Sequence, residues 1–318
     1  MTAEKAMVGA VDIGGTKIAI GIVDSSGRVL ATRAIPSGVQ CEYSDGVVQI
    51  VEILRALAAE TRVEIKGIGI GSTGPVNPIT GVFGEIDLLP SWRQANPAEE
   101  LSRAFGVRVA VENDADAGAL GEAAWGAGKG KKRLIYVSIG TGVGAGIVLD
   151  GQLYRGVEGS HPEIGHQVID ADGSSCSCGL QGCWEALASG TAMAAWFHRE
   201  ASTNDNRDYA GWSAKEIFES ARRGDELAKR AVRREARYLG LGMANLINLF
   251  APDAIVLGGS VMKSADLFLA DARAVVQKGC RFVPAEKCEI VLASLGENAN
   301  LIGAAQIWYH RFTQQGEG

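Results

Sequence analysis

One histidine and three cysteines fall close together in this chain: His166, Cys176, Cys178 and Cys183. One imidazole nitrogen and three thiolates can close a tetrahedral Zn²⁺ shell. A shell filled by protein ligands keeps no open position, so such a metal is structural rather than catalytic. An iron–sulfur cluster fits less well, since it usually takes four cysteines. Two carboxylates, Glu163 and Glu185, bracket the set. A metal-fixed loop over 163–185 would hold them rigidly, and carboxylates accept hydrogen bonds from paired hydroxyls. A second acidic group, Glu112-Asn113-Asp114, follows an apolar run at 107–111. A carboxylate at a strand end suits a general base, with Asp114 taking a proton from a hydroxyl that attacks a phosphoryl group. Asn113 offers both a donor and an acceptor to neighbouring hydroxyls. Either residue also suits the N-cap of a helix over 115–125, and the two roles are compatible.

Two glycine-rich turns complete the set. Asp12-Ile13-Gly14-Gly15-Thr16-Lys17 combines glycines, a hydroxyl and a positive charge. Backbone N–H groups without a Cβ in the way can converge on phosphate oxygens, and Thr16 and Lys17 add donors. Asp12 can hold Mg²⁺, a hard cation that takes oxygen ligands. Gly140-Thr141-Gly142-Val143-Gly144 is a second candidate for the same work. Neither turn matches the phosphate loop that carries Gly-Lys-Ser/Thr or the dinucleotide fingerprint, and each alone also reads as a hairpin turn.

The elements that must position these groups alternate. Val8–Ile13, 18–24, 29–34, 65–71, 135–139, 145–151, 254–259 and 290–295 read as strands. Apolar residues at three- and four-residue spacing predict helices over 45–61, 192–200, 214–222, 225–250 and 300–312. Strands interleaved with helices predict an α/β fold. A shift from Ile13 to Ile139 also superposes Gly14 on Gly140, Ala19 on Ala145 and Asp24 on Asp150. The matching order of strand, glycine turn, strand and Asp-containing turn predicts an internal duplication, hence two similar domains with a cleft between them.

The chain's 318 residues allow about two domains. Net charge is −6, which speaks against nucleic acid or an anionic membrane as the main partner. No apolar run reaches the roughly 20 residues of a membrane-spanning helix. The first residues lack the charged, apolar and small-residue order of a signal peptide, so a cytoplasmic location is expected. Cys41, Cys280 and Cys288 read as core or surface residues without a partner in local sequence, and His161 as a hydrogen-bonding loop residue.

The Asp12–Lys17 turn, Glu112-Asn113-Asp114, Gly140–Gly144, Glu163-Ile164-Gly165-His166 and Cys176-x-Cys178-Gly179-x-x-Gly182-Cys183-x-Glu185 together resemble the ROK family (repressors, open reading frames and sugar kinases) over nearly the whole chain. The resemblance implies an actin-like, hexokinase-type (ribonuclease H-like) duplicated two-domain fold. It implies an N-terminal domain of 1–115 joined by a C-terminal helix at 300–313, and a larger domain of 116–299 carrying the zinc loop. It implies ATP-dependent phosphorylation of a hexose, first of all glucose to glucose 6-phosphate, with structural Zn²⁺ and with Mg²⁺ accompanying ATP. Asp114 would be the catalytic base. Gly74, Asn113, Asp114, Glu163, His166 and Glu185 would touch the sugar, with His166 also a zinc ligand. Asp12, Gly14, Gly15, Thr16, Lys17, Gly140, Thr141, Gly142, Gly144, Gly258 and Gly259 would serve the nucleotide. Relatives imply a homodimer or higher homo-oligomer.

The chain departs from the family pattern at Thr73 and Asn77, where Pro and Asp are frequent, and at Leu88, near a frequent Asn; Asp87 is the candidate replacement contact. N-acetylmannosamine, N-acetylglucosamine and fructose therefore stay open as substrates, as does polyphosphate as donor. A sugar-responsive regulator without phosphotransfer is the alternative from another class. Family repressors carry an added N-terminal DNA-binding module for which the six residues before the first strand have no room, so the kinase is expected.

Overall fold

The computed structural model describes residues 6–38, 41–204, 209 and 211–313. The chain opens with three strands, β1 (Met7–Ile13), β2 (Lys17–Val23) and β3 (Val29–Pro36), followed by helix α1 (Tyr43–Thr61) and strand β4 (Ile65–Ser72). Helix α2 (Pro97–Phe105), strand β5 (Arg108–Asn113) and helix α3 (Asp114–Trp125) come next. These strands form a sheet in the order β3-β2-β1-β4-β5. β1 runs antiparallel to β2 and parallel to β4, and β4 is parallel to β5.

The alternation in β4 explains how both faces of this sheet are covered. Gly67, Gly69 and Gly71 share one face, and Ile68 and Ile70 the other. The isoleucines join Ile50, Leu54 and Leu57 of α1 in one buried cluster. The glycines let the C-terminal helix α9 (Ala299–Thr313) lie directly on the strand. A Cβ at Gly69 would sit 1.8 Å from the Ala304 carbonyl oxygen, and one at Gly67 would sit 2.0 Å from the Trp308 ring. The α9 residues Leu301, Ala304, Ala305, Trp308 and Tyr309 pack there with Val8 and Ala10.

A second sheet follows. It is built from β6 (Leu134–Ile139), β7 (Val143–Leu149), β8 (Gln152–Leu153), β9 (Ala254–Gly258) and β10 (Glu289–Leu292), in the order β10-β9-β6-β7-β8. Strand for strand this repeats the first sheet, with β6 to β10 in the places of β1 to β5. The 126-residue offset between Ile13 and Ile139 is thus the offset between the ends of two equivalent strands. Between β8 and β9 lie α4 (Trp184–Ala188), α5 (Gly190–Asn204), α6 (Ala214–Arg222) and α7 (Glu226–Phe250), and α8 (Leu269–Gly279) precedes β10. α7 starts at the Asp225 cap, whose carboxylate accepts from Ala228 N–H at 2.9 Å, and ends before Pro252.

Grouped by internal contacts, the described residues form two compact units. One holds those up to Lys131, Gly146–Pro162 and those from Ala293 onward; the other holds Lys132–Ala145 and Glu163–Leu292. The first unit extends past residue 115 because α3 packs closely on α9, where a Cβ at Gly303 would sit 2.3 Å from the Ala117 carbonyl oxygen. Among the described residues no helix is long and apolar enough to cross a membrane. Cys280 is buried, and Cys41 and Cys288 are partly buried.

Candidate active site

In the first unit, the carboxyl ends of three neighbouring parallel strands carry the acidic residues. Asp12 of β1 pairs with Gly71 of β4, and Gly71 pairs with Glu112 of β5. Open α/β sheets bind ligands at this edge. Gly71 lets α3 sit close to this edge, since a Cβ there would lie 3.2 Å from the Ala117 Cβ. The chain turns from β5 into α3 at Asn113, whose side-chain oxygen accepts from Ala115 N–H at 2.8 Å. Asn113 is therefore the cap, and Asp114 is the first helical residue. Gly74 lies against it: a Cβ there would meet the Asn113 amide nitrogen at 3.0 Å.

Asp114 and Asp12 both hold their protons more tightly than ordinary carboxyls. Burial pushes Asp114 up to about 6; the Ala115 N–H and the His161 charge oppose the rise, and Asp116 adds to it. Burial, then the Asp114 charge, pushes Asp12 up to about 7, against the Asn300 hydrogen bond and Lys17. Beside Asp12 the Gly14–Lys17 turn closes with Gly14 N–H donating to the Lys17 carbonyl at 3.0 Å, leaving Thr16 and Lys17 exposed. Leu88 covers this turn, because a Cβ at Gly15 would fall 2.3 Å from its Cδ1. Asp87 is exposed.

In the second unit, His166, Cys176, Cys178 and Cys183 come together with their ligand atoms all within 4.8 Å of one another. The Cys176 Sγ lies 3.4 Å from His166 Nδ1, and the Cys178 and Cys183 sulfurs are 3.5 Å apart. A tetrahedral zinc with ~2.3 Å Zn–S bonds needs edges of about 3.6–3.8 Å, so the donor set fits this ion. A hairpin presents the cysteines: Cys176 N–H donates to the Leu180 carbonyl at 2.8 Å, and Gly182 N–H to the Ser174 carbonyl at 2.8 Å. Gly182 has φ of 75° and no room for a side chain, since its Cβ would overlap the Asp170 carbonyl oxygen at 1.6 Å.

The second glycine turn lies against this knot. Gly140 N–H donates to the Gly142 carbonyl at 2.9 Å. The Glu185 carboxylate accepts from Val143 N–H at 2.9 Å, and a Cβ at Gly142 would meet it at 2.3 Å. Gly165 packs on the Val143 carbonyl and so seats the Ile164–His166 turn on the start of β7, with Glu163 exposed. Gly144 is partly buried on β7. A cavity of about 990 Å³ opens on the same side of this unit, lined by Gly140, Thr141, Trp212, Ser213, Lys215 and Ser260 among others. Its volume suits a nucleoside-sized ligand. Gly258 and Gly259 precede Ser260, and they are glycines for local reasons. A Cβ would strike the Tyr136 hydroxyl at Gly258 and the Ile139 carbonyl at Gly259, where φ is 92°.

Sequence reading missed several groups here. Asn300 reaches Asp12 from α9 across almost the whole chain length, and no local signal marks it. His161, read as a hydrogen-bonding loop residue, does bond, with Nδ1 2.9 Å from the buried Asp116 carboxylate, but its partner was not foreseen. The cavity residues Ser213 and Lys215 stand at the start of α6, where Ser213 and Glu216 form a capping box that the Ser-x-x-Glu spacing announces.

A model of the ROK family matches residues 8–311. A glucokinase from Streptomyces coelicolor is 37% identical over 315 residues, covering 93% of this chain and 96% of that protein. The crystal structure of a ROK family glucokinase from Streptomyces griseus in complex with glucose and AMPPNP superposes with a TM-score of 0.77 at 33% identity, covering 96% of this chain and 99% of that one. A xylose repressor from Bacillus subtilis is 35% identical over 222 residues, covering 70% of this chain and 56% of that protein. With nearly every described element inside the matched range and the two sheets repeating one strand order, this chain belongs to the ROK family.

Proposed function

We propose that this chain phosphorylates a hexose with ATP, converting glucose to glucose 6-phosphate. The observation that carries the reading is Asp114: a half-buried carboxyl at the carboxyl edge of a parallel sheet, beside the Asn113 cap, with its proton affinity raised to about 6. A base whose pKa lies just below the working pH is ionised yet still basic enough to take a hydroxyl proton. The Streptomyces relatives, one a glucokinase and one holding glucose with AMPPNP, support glucose as the acceptor.

In this reading Asp114 removes the proton from the sugar hydroxyl as its oxygen attacks the γ-phosphoryl group. Gly74, Asn113, Glu163, His166 and Glu185 receive the remaining hydroxyls. His166 can serve two functions, because the nitrogen facing the thiolates is Nδ1. The backbone N–H groups of Gly14–Lys17 and Gly140–Gly144, with Thr16, Lys17 and Thr141, hold phosphate oxygens, and the 990 Å³ cavity beside Gly258 and Gly259 takes the nucleoside. Such transfer is catalysed mostly by positioning and charge stabilisation. Asp12 would hold the Mg²⁺ that accompanies ATP, which when bound neutralises phosphate charge and would keep Asp12 ionised. His166 and the three cysteines would hold a structural Zn²⁺ that stiffens the 163–185 segment.

The Bacillus repressor supports a second reading, a sugar-responsive regulator without phosphotransfer; the carboxylate at position 114 favours the kinase. Measuring ADP release against glucose, fructose, N-acetylglucosamine and N-acetylmannosamine, with ATP and with polyphosphate, decides between these. Turnover fastest with glucose and ATP supports the proposal. Preference for another sugar moves the substrate, and no turnover with any pair overturns the kinase reading.

A further inference from the structure

The segment from Arg155 to His161 is tied at both ends to the corner between β5 and α3. Arg155 donates from Nε to Glu112 Oε2 at 3.2 Å and from a guanidinium nitrogen to Glu112 Oε1. His161 places Nδ1 2.9 Å from Asp116 Oδ2. Glu112 and Asp116 stand two residues to either side of Asp114, and each is only about 1% exposed. A carboxylate so far from water is tolerated only with a partner, and one short segment supplies a partner to each. Arg311 of α9 gives Glu112 a second, at 2.5 Å.

The segment is itself compact. Gly156 N–H donates to the Ser160 carbonyl at 2.8 Å, and Gly159, at φ of 80°, packs against Pro78, where a Cβ would come within 3.1 Å. A backbone hydrogen bond therefore joins the two arms of the segment. None of Glu112, Arg155, Asp116 and His161 is used by the sugar or phosphate chemistry above. His161 also acts electrostatically on Asp114, favouring its ionised form.

We propose that Asp116 and His161 are a positioning pair for Asp114: Asp116 accepts the Nδ1 proton and so fixes the imidazole at the corner from which Asp114 projects. The inference rests on the reading of Asp114 as the base. Together with Glu112 and Arg155 it makes a two-point clamp with the base at its middle.

The test is a kinetic cycle on the full-length protein with hexose and ATP. His161→Ala should lower kcat by about 10- to 100-fold with KM for ATP within about twofold. His161→Asn, which returns an N–H donor in the place of Nδ1, should recover to within about fivefold of the starting enzyme. On an Asp114→Asn background, His161→Ala should cost less than about twofold more, because its effect passes through Asp114. A His161→Ala enzyme within twofold of the parent, a His161→Asn enzyme as poor as His161→Ala, or losses that multiply in the double variant would each overturn the pair. If the parent protein turns over no sugar with any donor, the kinase reading has failed separately. The pair is then judged by amide hydrogen exchange at 113–117: about tenfold faster exchange in His161→Ala supports it, and unchanged exchange rejects it.

Discussion

Replacing Asp114 by Asn should make the protein more stable and nearly inactive at once. The carboxyl rises from 3.8 to about 6 on folding, chiefly because burial disfavours its charge. About two units at 1.36 kcal/mol each put the cost of an ionised Asp114 near 3 kcal/mol, an upper figure because the residue is partly exposed. The sign follows from proton binding. Between pH 4 and 6 the folded state binds more protons than the unfolded chain, so stability falls as pH rises through that window. The penalty is fully present above about pH 6 and gone below about pH 4. Asparagine carries no charge to bury, and its loss of charge also eases Asp12, whose proton affinity Asp114 raises. Melting curves from pH 4 to 8 should show Asp114→Asn above the parent by about 1–3 kcal/mol at pH 7, with the gap closing towards pH 4. Coupled ADP-release assays should show kcat lower by about 10³, within the range for losing a general base. In the parent, kcat/KM should fall about tenfold per pH unit below 6 as the base protonates. An Asn variant within tenfold of the parent kcat, or one that melts below it at pH 7, refutes the argument.

Metal analysis of the purified protein should find about one zinc per chain, and chelation should lower the melting temperature while raising KM for the sugar more than KM for ATP; a metal-free protein with unchanged kinetics contradicts the assignment. Gly69→Ala should cost more than about 3 kcal/mol in urea unfolding, since its Cβ would overlap the Ala304 carbonyl at 1.8 Å. Glu235 is fully buried with neither carboxyl oxygen hydrogen-bonded, and burial pushes it up to about 8. The folded state therefore binds the extra proton between about pH 4.5 and 8, so in thermal melts the parent should lose stability more steeply than Glu235→Gln as pH rises from 5 to 8, and the difference should level off above about 8.

What lies within one turn or one strand was legible from residue order. The alternating Gly and Ile of β4 announce a strand packed differently on its two faces. Cys176, Cys178 and Cys183 lie close enough to His166 for short-range geometry to make a zinc knot, and Asn113 before an alanine-rich run announces a helix start. The offset from Ile13 to Ile139 carries the duplication, because equivalent strands need equivalent turns. Helices α2, α4 and α8 slipped past periodicity, although α2 has clear end signals in the Asn96 cap, Pro97 and Gly106. α8 buries only Leu269, Ala272 and Val276, too thin a stripe to stand out. The surroundings of Asp114 and Asp12 come from distant parts of the chain brought together by folding. Arg311 and Asn300 arrive from a helix nearly two hundred residues or more away, and Arg155 and His161 from a loop beyond the next strands. Burial sets the proton affinity of a carboxyl, and burial depends on the whole packed fold, which no local pattern of residues encodes.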